Sequence, residues 1–246
     1  VGRITLAFAI PIVCWWGIVL LFRPQPFILP GPDRVIIAFI TRWHELAVNG
    51  AVTAYEICLG LAAGSLIGTM IALAMAAFPR FGRLATPIVV TSQALPVFAI
   101  APVLVLWFGF GLASKIVMAT TIIFFPVASS FYDGLTRTDE GLLDLATLYR
   151  ATPLQRLAVI RVPAAMPGLV SGLRMAATVA PIGAIIGEWV GASSGLGLVM
   201  MQANAHFQTD FMFAALAVLV ALSLALRLAV DRLTRNLAPW APEFDR

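Results

Sequence analysis

Between Arg83 and Lys115 the chain carries no charged side chain, and three further stretches, 4–22, 57–78 and 116–132, are equally free of charge. A bilayer core is crossed by about 20 apolar residues in helical form, so runs of this length and number leave few choices for the fold. Only 11% of the 246 residues are charged and 61% are hydrophobic, with mean hydropathy +0.96, whereas an ordinary soluble domain is about 25% charged. Lipid must therefore act as solvent for much of the surface. Backbone polar groups have no water partners in hydrocarbon, which restricts spanning segments to helices or closed barrels. The lengths favour helices. The sequence predicts an all-α membrane protein, one domain over 1–246, with six spans at about 4–22, 51–78, 84–108, 114–132, 168–190 and 211–230. Pro87, Pro96 and Pro102 fall in the third span, which is expected to kink.

Charge sets the orientation. With the N-terminus in the cytoplasm, the inner segments carry Arg3, Arg80, Arg83, Arg137, Arg150, Arg156, Arg161, Arg174, Arg227, Arg232, Arg235 and Arg246, and the outer ones carry only Arg23, Arg34, Arg42 and Lys115. Cationic loops stay inside, so both termini are expected in the cytoplasm, and the basic balance reflects topology, not nucleic acid. The first apolar stretch is too long for a signal-peptide core and lacks a small-residue cleavage site; it reads as a retained span. Cys14 and Cys58 lie in apolar stretches and are expected as small buried thiols. His44 and His206 have no metal-ligand spacing, so no metal is expected. The outer loop 23–50 opens with prolines and offers an amphipathic stretch, 35–48, suited to a helix on the membrane surface.

The loop 133–167 is the most informative. From Asp144 to Pro163 it reads Asp-Leu-Ala-Thr-Leu-Tyr-Arg-Ala-Thr-Pro-Leu-Gln-Arg-Leu-Ala-Val-Ile-Arg-Val-Pro. A first helix over about 139–149 would place Leu142, Leu145 and Leu148 on one face. A second starts at Thr152, which can cap it, with Pro153 suited to the first helical position and Gln155 completing a capping box. Leu154, Leu157 and Ala158 share its apolar face, Arg156 sits among its polar positions, and Pro163 and Pro167 are expected to end it. Such a hairpin has an apolar face to bury, either on the chain's own surface or on a second subunit.

This loop resembles the "EAA" coupling loop of ABC importer permeases: Asp144 stands in the acidic place, Ala146 in that of the second alanine, and Pro163 in that of the closing proline. Leu145 replaces the first alanine. Arg150 stands where the family has glycine, so the turn is expected to shift to Ala151 and Thr152. Ser92-Gln-Ala-Leu-Pro-Val-Phe-Ala-Ile-Ala-Pro-Val-Leu-Val-Leu-Trp-Phe-Gly-Phe-Gly111 and Ile186-Gly-Glu-Trp-Val-Gly-Ala-Ser-Ser-Gly-Leu-Gly197 are similar to the group of these permeases that imports sulfonates, nitrate and thiamine precursors. The segments 124–134 and 202–206 look most like permeases for hydroxymethylpyrimidine-type precursors; sulfonate, nitrate or riboflavin-like solutes are the alternatives. The resemblance implies a type I importer transmembrane domain acting as a homodimer with two ATP-binding subunits and an extracytoplasmic binding protein. Asp144, Ala146, Arg150, Thr152, Pro153, Arg156 and Pro163 would then form the ATPase-coupling loop. The chain contains no G-x-x-x-x-G-K-[ST] phosphate loop, so ATP and Mg²⁺ would be held by the partner ATPases; this chain would bind no cofactor and perform no hydrolysis itself.

Ser92, Gln93 and Trp107 are candidates for lining a path, since hydroxyl and amide groups bind polar solutes and an indole offers a stacking face; ordinary helix packing is the alternative. Glu188, near the outer end of the fifth span, is either a gate or contact residue or a headgroup-level charge beside Trp189. Glu56 reads as an interfacial charge, Arg174 as a snorkelling one. Gly60, Gly64 and Gly68 recur every four residues and would admit a close helix neighbour, within the chain or in a second copy. Gly195 and Gly197 suggest a tight turn or re-entrant loop. A secondary transporter would show an internal repeat and midplane charges, and an intramembrane enzyme would need a catalytic constellation; neither signature is present in the sequence.

Overall fold

The computed structural model describes residues 2–94, 96–191 and 193–240, with side chains from residue 10 onward apart from 93 and 94. The described residues form eleven α-helices and no strand: α1 (Gly2–Phe22), α2 (Pro32–Thr41), α3 (Trp43–Ala77), α4 (Pro79–Ala94), α5 (Val97–Phe108), α6 (Leu112–Thr136), α7 (Glu140–Leu148), α8 (Pro153–Gln155), α9 (Val162–Gly191), α10 (Leu196–Ala205) and α11 (Thr209–Thr234). A π-helical turn, Arg156–Arg161, joins α8 to α9.

Helix α6 is the central element, with α3 packed on one side and α9 on the other. Small side chains make this possible. A Cβ added at Gly60 would strike Ala119, one at Gly64 would come within 2.6 Å of Ile123, and one at Gly68 within 2.6 Å of the Phe124 carbonyl. The glycine stripe of α3 is thus an intramolecular seam. A second stripe on α9, Gly168, Gly172, Ala176, Ala180 and Ala184, has the same four-residue step. A Cβ at Gly172 would lie 2.9 Å from the Pro126 carbonyl, and one at Gly168 2.5 Å from that of Ser130. Lipid tails are as apolar as leucine, so close backbone approach and van der Waals contact hold such helices together. Ile57, Ala119, Ile123, Val127, Ala176 and Ala180 fill the middle of the seam. At one end Ala72, Phe131, Leu135 and Ala165 close it. At the other, α2, α10 and the start of α11 gather around Leu46, Ile185, Leu196 and Phe211.

The structure changes several expectations. Among the described residues four single helices are long and apolar enough to cross a membrane, α3, α6, the run Pro153–Gly191 and α11, where six spans were expected. The bent pair α4–α5 makes up to five, and α1 contributes only a shorter apolar helix, Ile10–Phe22. The third span is broken, not merely kinked: α4 and α5 bend by 103° where Pro96, with no N–H and a fixed φ, cannot continue α4. The expected surface helix 35–48 is two pieces. Arg42 (φ −116°) interrupts it, held by Glu45 at 2.7 Å and stacked 3.5 Å over the Phe211 ring, and residues from Trp43 onward already belong to α3. Pro163 and Pro167 do not end the second hairpin helix: Pro153–Gly191 runs for 39 residues, roughly 58 Å at 1.5 Å per residue. The π turn ahead of Pro163 widens the coil where a proline ring would press on the preceding turn's carbonyl. Cys14 and Cys58 are exposed on the outer face of the bundle, because apolar side chains of a span can face lipid as readily as protein.

Candidate functional site: an exposed hairpin and a hydroxyl-lined cavity

The hairpin forms largely as its local chemistry dictates. The Asp139 carboxylate accepts from the Leu142 N–H at 3.2 Å and caps α7. At the second helix, Thr152 Oγ1 accepts from the Gln155 N–H at 3.3 Å, while Gln155 Oε1 accepts from the Thr152 N–H at 2.8 Å, completing the capping box with Pro153 behind it. Arg150 overturns one expectation: it takes the glycine-like conformation itself, with φ +54°. Its N–H donates to the Thr147 carbonyl and that of Ala151 to the Ala146 carbonyl, at 3.0 and 2.9 Å, the paired bonds of a Schellman motif. The turn therefore stays at position 150, and Arg156 Nε supports it by donating to the Ala151 carbonyl at 3.0 Å.

Ala146 is turned into the fold, whereas Leu142, Leu145, Leu148 (79% exposed) and Tyr149 (84% exposed) are not covered by the chain. Leu142, Leu145, Ala146 and Tyr149, with Ala151, Gln155, Val159 and Ile160, border a groove of about 510 Å³ between the two arms. Asp144 and Pro163 are exposed as well.

A second feature lies halfway along the bundle. A cavity of about 580 Å³ opens between α4, α5, α6 and α9, bordered by Ser92, Thr121, Phe125, Ser129, Ser130 and Ser171 among others. The structure brings Ser92 to it. Trp107 is not there: α5 turns Ala101, Leu104 and Val105 inward, which leaves Trp107 on the outer face, 72% exposed. The side chain of Gln93 lies outside the described residues. Sequence reasoning missed Thr121, Ser129, Ser130 and Ser171; their signal was hydroxyls recurring within otherwise apolar spans.

At the end opposite the hairpin the structure assembles a buried polar cluster from residues the sequence placed at the interface. Lys115, expected in an outer loop, is in α6 and 4% exposed. Its Nζ donates to Glu56 Oε1 at 2.6 Å and to the Ser194 carbonyl at 3.3 Å. Glu56 (1% exposed) is no interfacial charge, and Glu188 (0%) is no headgroup-level one. Glu188 Oε1 accepts from Thr53 Oγ1 at 2.6 Å, and Oε2 accepts from the Gly197 N–H. The Thr53 hydroxyl oxygen also accepts from the Leu196 N–H, and Asn49 Oδ1 from the Gly195 N–H, each at 2.8 Å. Side chains of α3 and α9 thus satisfy the first N–H groups of α10, which have no partner within a helix, and a carboxylate suits the positive end of its dipole. Gly195 (φ +122°) permits the approach, since any Cβ there would collide with the Glu188 carboxyl group. Residues 193–195 are therefore a tight turn into α10. Arg174 is likewise more than a snorkelling charge: it pairs with Asp231 at 2.8 Å, which also receives Arg227 Nε at 3.2 Å, tying α9 to α11. No group of three or more potential metal ligands occurs among the described residues.

The family model described as binding-protein-dependent transport system inner membrane component matches residues 64–241. The chain is 47% identical over 226 residues to a probable ABC transporter permease protein of Haemophilus influenzae, covering 92% of each. It is 33% identical to the formylaminopyrimidine transport permease protein ThiX of Halalkalibacterium halodurans, covering 95% of this chain and 94% of the relative. The fold matches a solved structure of the MetNI methionine ABC transporter in an inward-facing conformation, with TM-score 0.70 at 22% identity over 80% of this chain and 98% of that one. The chain thus belongs to the binding-protein-dependent transport system inner membrane components, the multi-pass permease subunits of ABC importers.

Proposed function

We propose that the hairpin 139–163 is the docking element for the ATP-binding subunits of this importer, and that two copies of the chain frame the translocation path. The observation that carries this is the uncovered apolar groove between α7 and the π turn. An exposed apolar face rimmed by polar groups marks an interaction surface, and Asp144 and Arg156 supply such groups. By the positive-inside asymmetry this end, and both termini, would lie in the cytoplasm. Mechanical coupling then has a direct route. The second arm of the hairpin and the span α9 are one helix, Pro153–Gly191, so force applied at the groove by closing ATPases tilts a rod whose far end carries Glu188 and the α10 turn. An extracytoplasmic binding protein would deliver the solute there. The solute class favoured is a small polar organic molecule of the hydroxymethylpyrimidine type, in keeping with the likeness to a formylaminopyrimidine permease; sulfonate, nitrate and riboflavin-like solutes are the competing classes.

Co-expression with the neighbouring genes, isolation in mild detergent and assay of substrate-stimulated ATP hydrolysis test this reading. Asp144→Lys reverses a charge on an exposed residue of α7, so the hairpin should still fold while the ATPase is released or uncoupled. Full retention of a coupled ATPase by Asp144→Lys together with Leu148→Glu would remove the hairpin from the interface. Transport without ATP would refute the coupling of this chain to ATP-binding subunits through the hairpin.

A further inference from the structure

The mid-bundle cavity has a chemical character that separates the competing solute classes. Its volume, about 580 Å³, lies within the roughly 300–1,000 Å³ of small-molecule sites. No Lys, Arg, His, Asp or Glu borders it among the described residues. Its hydroxyls are not equivalent. Ser92 Oγ donates to the Val89 carbonyl at 2.6 Å and Thr121 Oγ1 to the Val117 carbonyl at 2.8 Å. With their protons committed to their own helices, both oxygens offer only lone pairs to the cavity. Pro126, in the same wall, has no N–H, so the carbonyl of Ile122, another bordering residue, lacks its usual helical donor. Ser129, Ser130 and Ser171 make no side-chain hydrogen bond within the described chain. The lining is therefore rich in acceptors, holds three adaptable hydroxyls and has no cation. Phe125 adds a ring and Met175 a polarisable thioether, both suited to a flat aromatic solute.

We infer that this permease carries its own solute site, in this cavity, which admits uncharged ring compounds bearing N–H or O–H donors and rejects anions. The inference rests on the importer reading above and adds a second filter to whatever a binding protein selects. An aminopyrimidine with a hydroxymethyl group presents donors to the Ser92, Thr121 and Ile122 oxygens, ring nitrogens that accept from the Ser130 and Ser171 hydroxyls, and a ring face to Phe125. A sulfonate entering the same space would find three serine hydroxyls to donate to it but no cation to balance its charge, and whatever water it shed against the acceptor-rich wall would be poorly replaced.

The test uses the permease–ATPase complex in lipid nanodiscs without binding protein, so that this chain alone sets the specificity. Equilibrium binding of tritiated hydroxymethylpyrimidine is measured with unlabelled taurine as competitor. Saturable binding that taurine fails to displace is expected. Ser130→Ala and Ser171→Ala should each weaken it about three- to tenfold, the worth of one hydrogen bond, and Ser171→Arg should abolish it while admitting taurine. Displacement by taurine from the wild type, unchanged binding in both alanine variants, or no saturable binding would each overturn the inference. ATPase retention is read in the same preparations: loss of the ATPase refutes the docking assignment, whereas a coupled complex that binds no pyrimidine refutes only the cavity.

Discussion

Replacing Lys115 by Met keeps most of the aliphatic stem but removes the cation from a site holding two carboxyl groups, Glu56 and Glu188, each at most 1% exposed. The 2.6 Å contact to Glu56 corresponds to roughly 6 kcal/mol of attraction at an effective dielectric of 20, much of which is offset by the desolvation of both ions. What the substitution loses is set by the charge left behind: breaking one partner of a buried pair typically costs about 3–5 kcal/mol. The Ser194 carbonyl also loses a donor, which loosens the turn into α10. We therefore expect Lys115→Met to destabilise the chain by about 3–5 kcal/mol, measured by equilibrium unfolding in mixed micelles. The double variant Lys115→Met/Glu56→Leu removes the stranded charge and should recover most of that loss, giving a coupling energy of at least about 2 kcal/mol in the mutant cycle. A Lys115→Met variant within about 1 kcal/mol of wild type, or a double variant whose loss is the simple sum of the two, would show that the pair is not the buried unit described.

Further expectations follow from single positions. Arg150→Gly places glycine at φ +54° and should stabilise the hairpin by about 1 kcal/mol, seen as slower hydrogen exchange at the Ala151 amide, while Arg150→Val should do the reverse. Gly64→Val puts atoms where Ile123 already lies 2.6 Å from an ideal Cβ; forcing α3 from α6 should cost about 1–3 kcal/mol or more and lower the unfolding midpoint, whereas Gly17→Ala, where a Cβ meets nothing, should leave it unchanged. Gly195→Ala meets both a disfavoured φ and the Glu188 carboxyl group and should cost at least about 1–2 kcal/mol, with protease accessibility rising at residues 193–197.

Features decided by neighbours along the chain were legible in the residues. The uncharged runs marked the long apolar helices α3, α6 and α11 because hydrophobic length is a local property. The Asp139 cap, the Thr152–Gln155 box and the exposed leucines of α7 followed from partners three or four residues apart. The same reasoning went astray where a local rule had two outcomes: Arg150 adopted a backbone conformation that non-glycine residues occupy at a cost, and Pro163 was absorbed by a π turn instead of stopping a helix. Nothing local could pair Lys115 with Glu56, 59 residues away, or Thr53 with Glu188, 135 away. A lone charge near the end of an apolar run has the same sequence signature whether it meets headgroups or another buried charge. The cavity was hidden for the same reason, since Ser92, Thr121 and Ser171 converge only when α4, α6 and α9 pack. Composition and short-range capping thus determined that this chain spans a membrane and presents a structured hairpin. Close packing of glycine-striped helices, which alone brings distant polar groups within hydrogen-bonding range, decided which of those groups are buried together and which face open space.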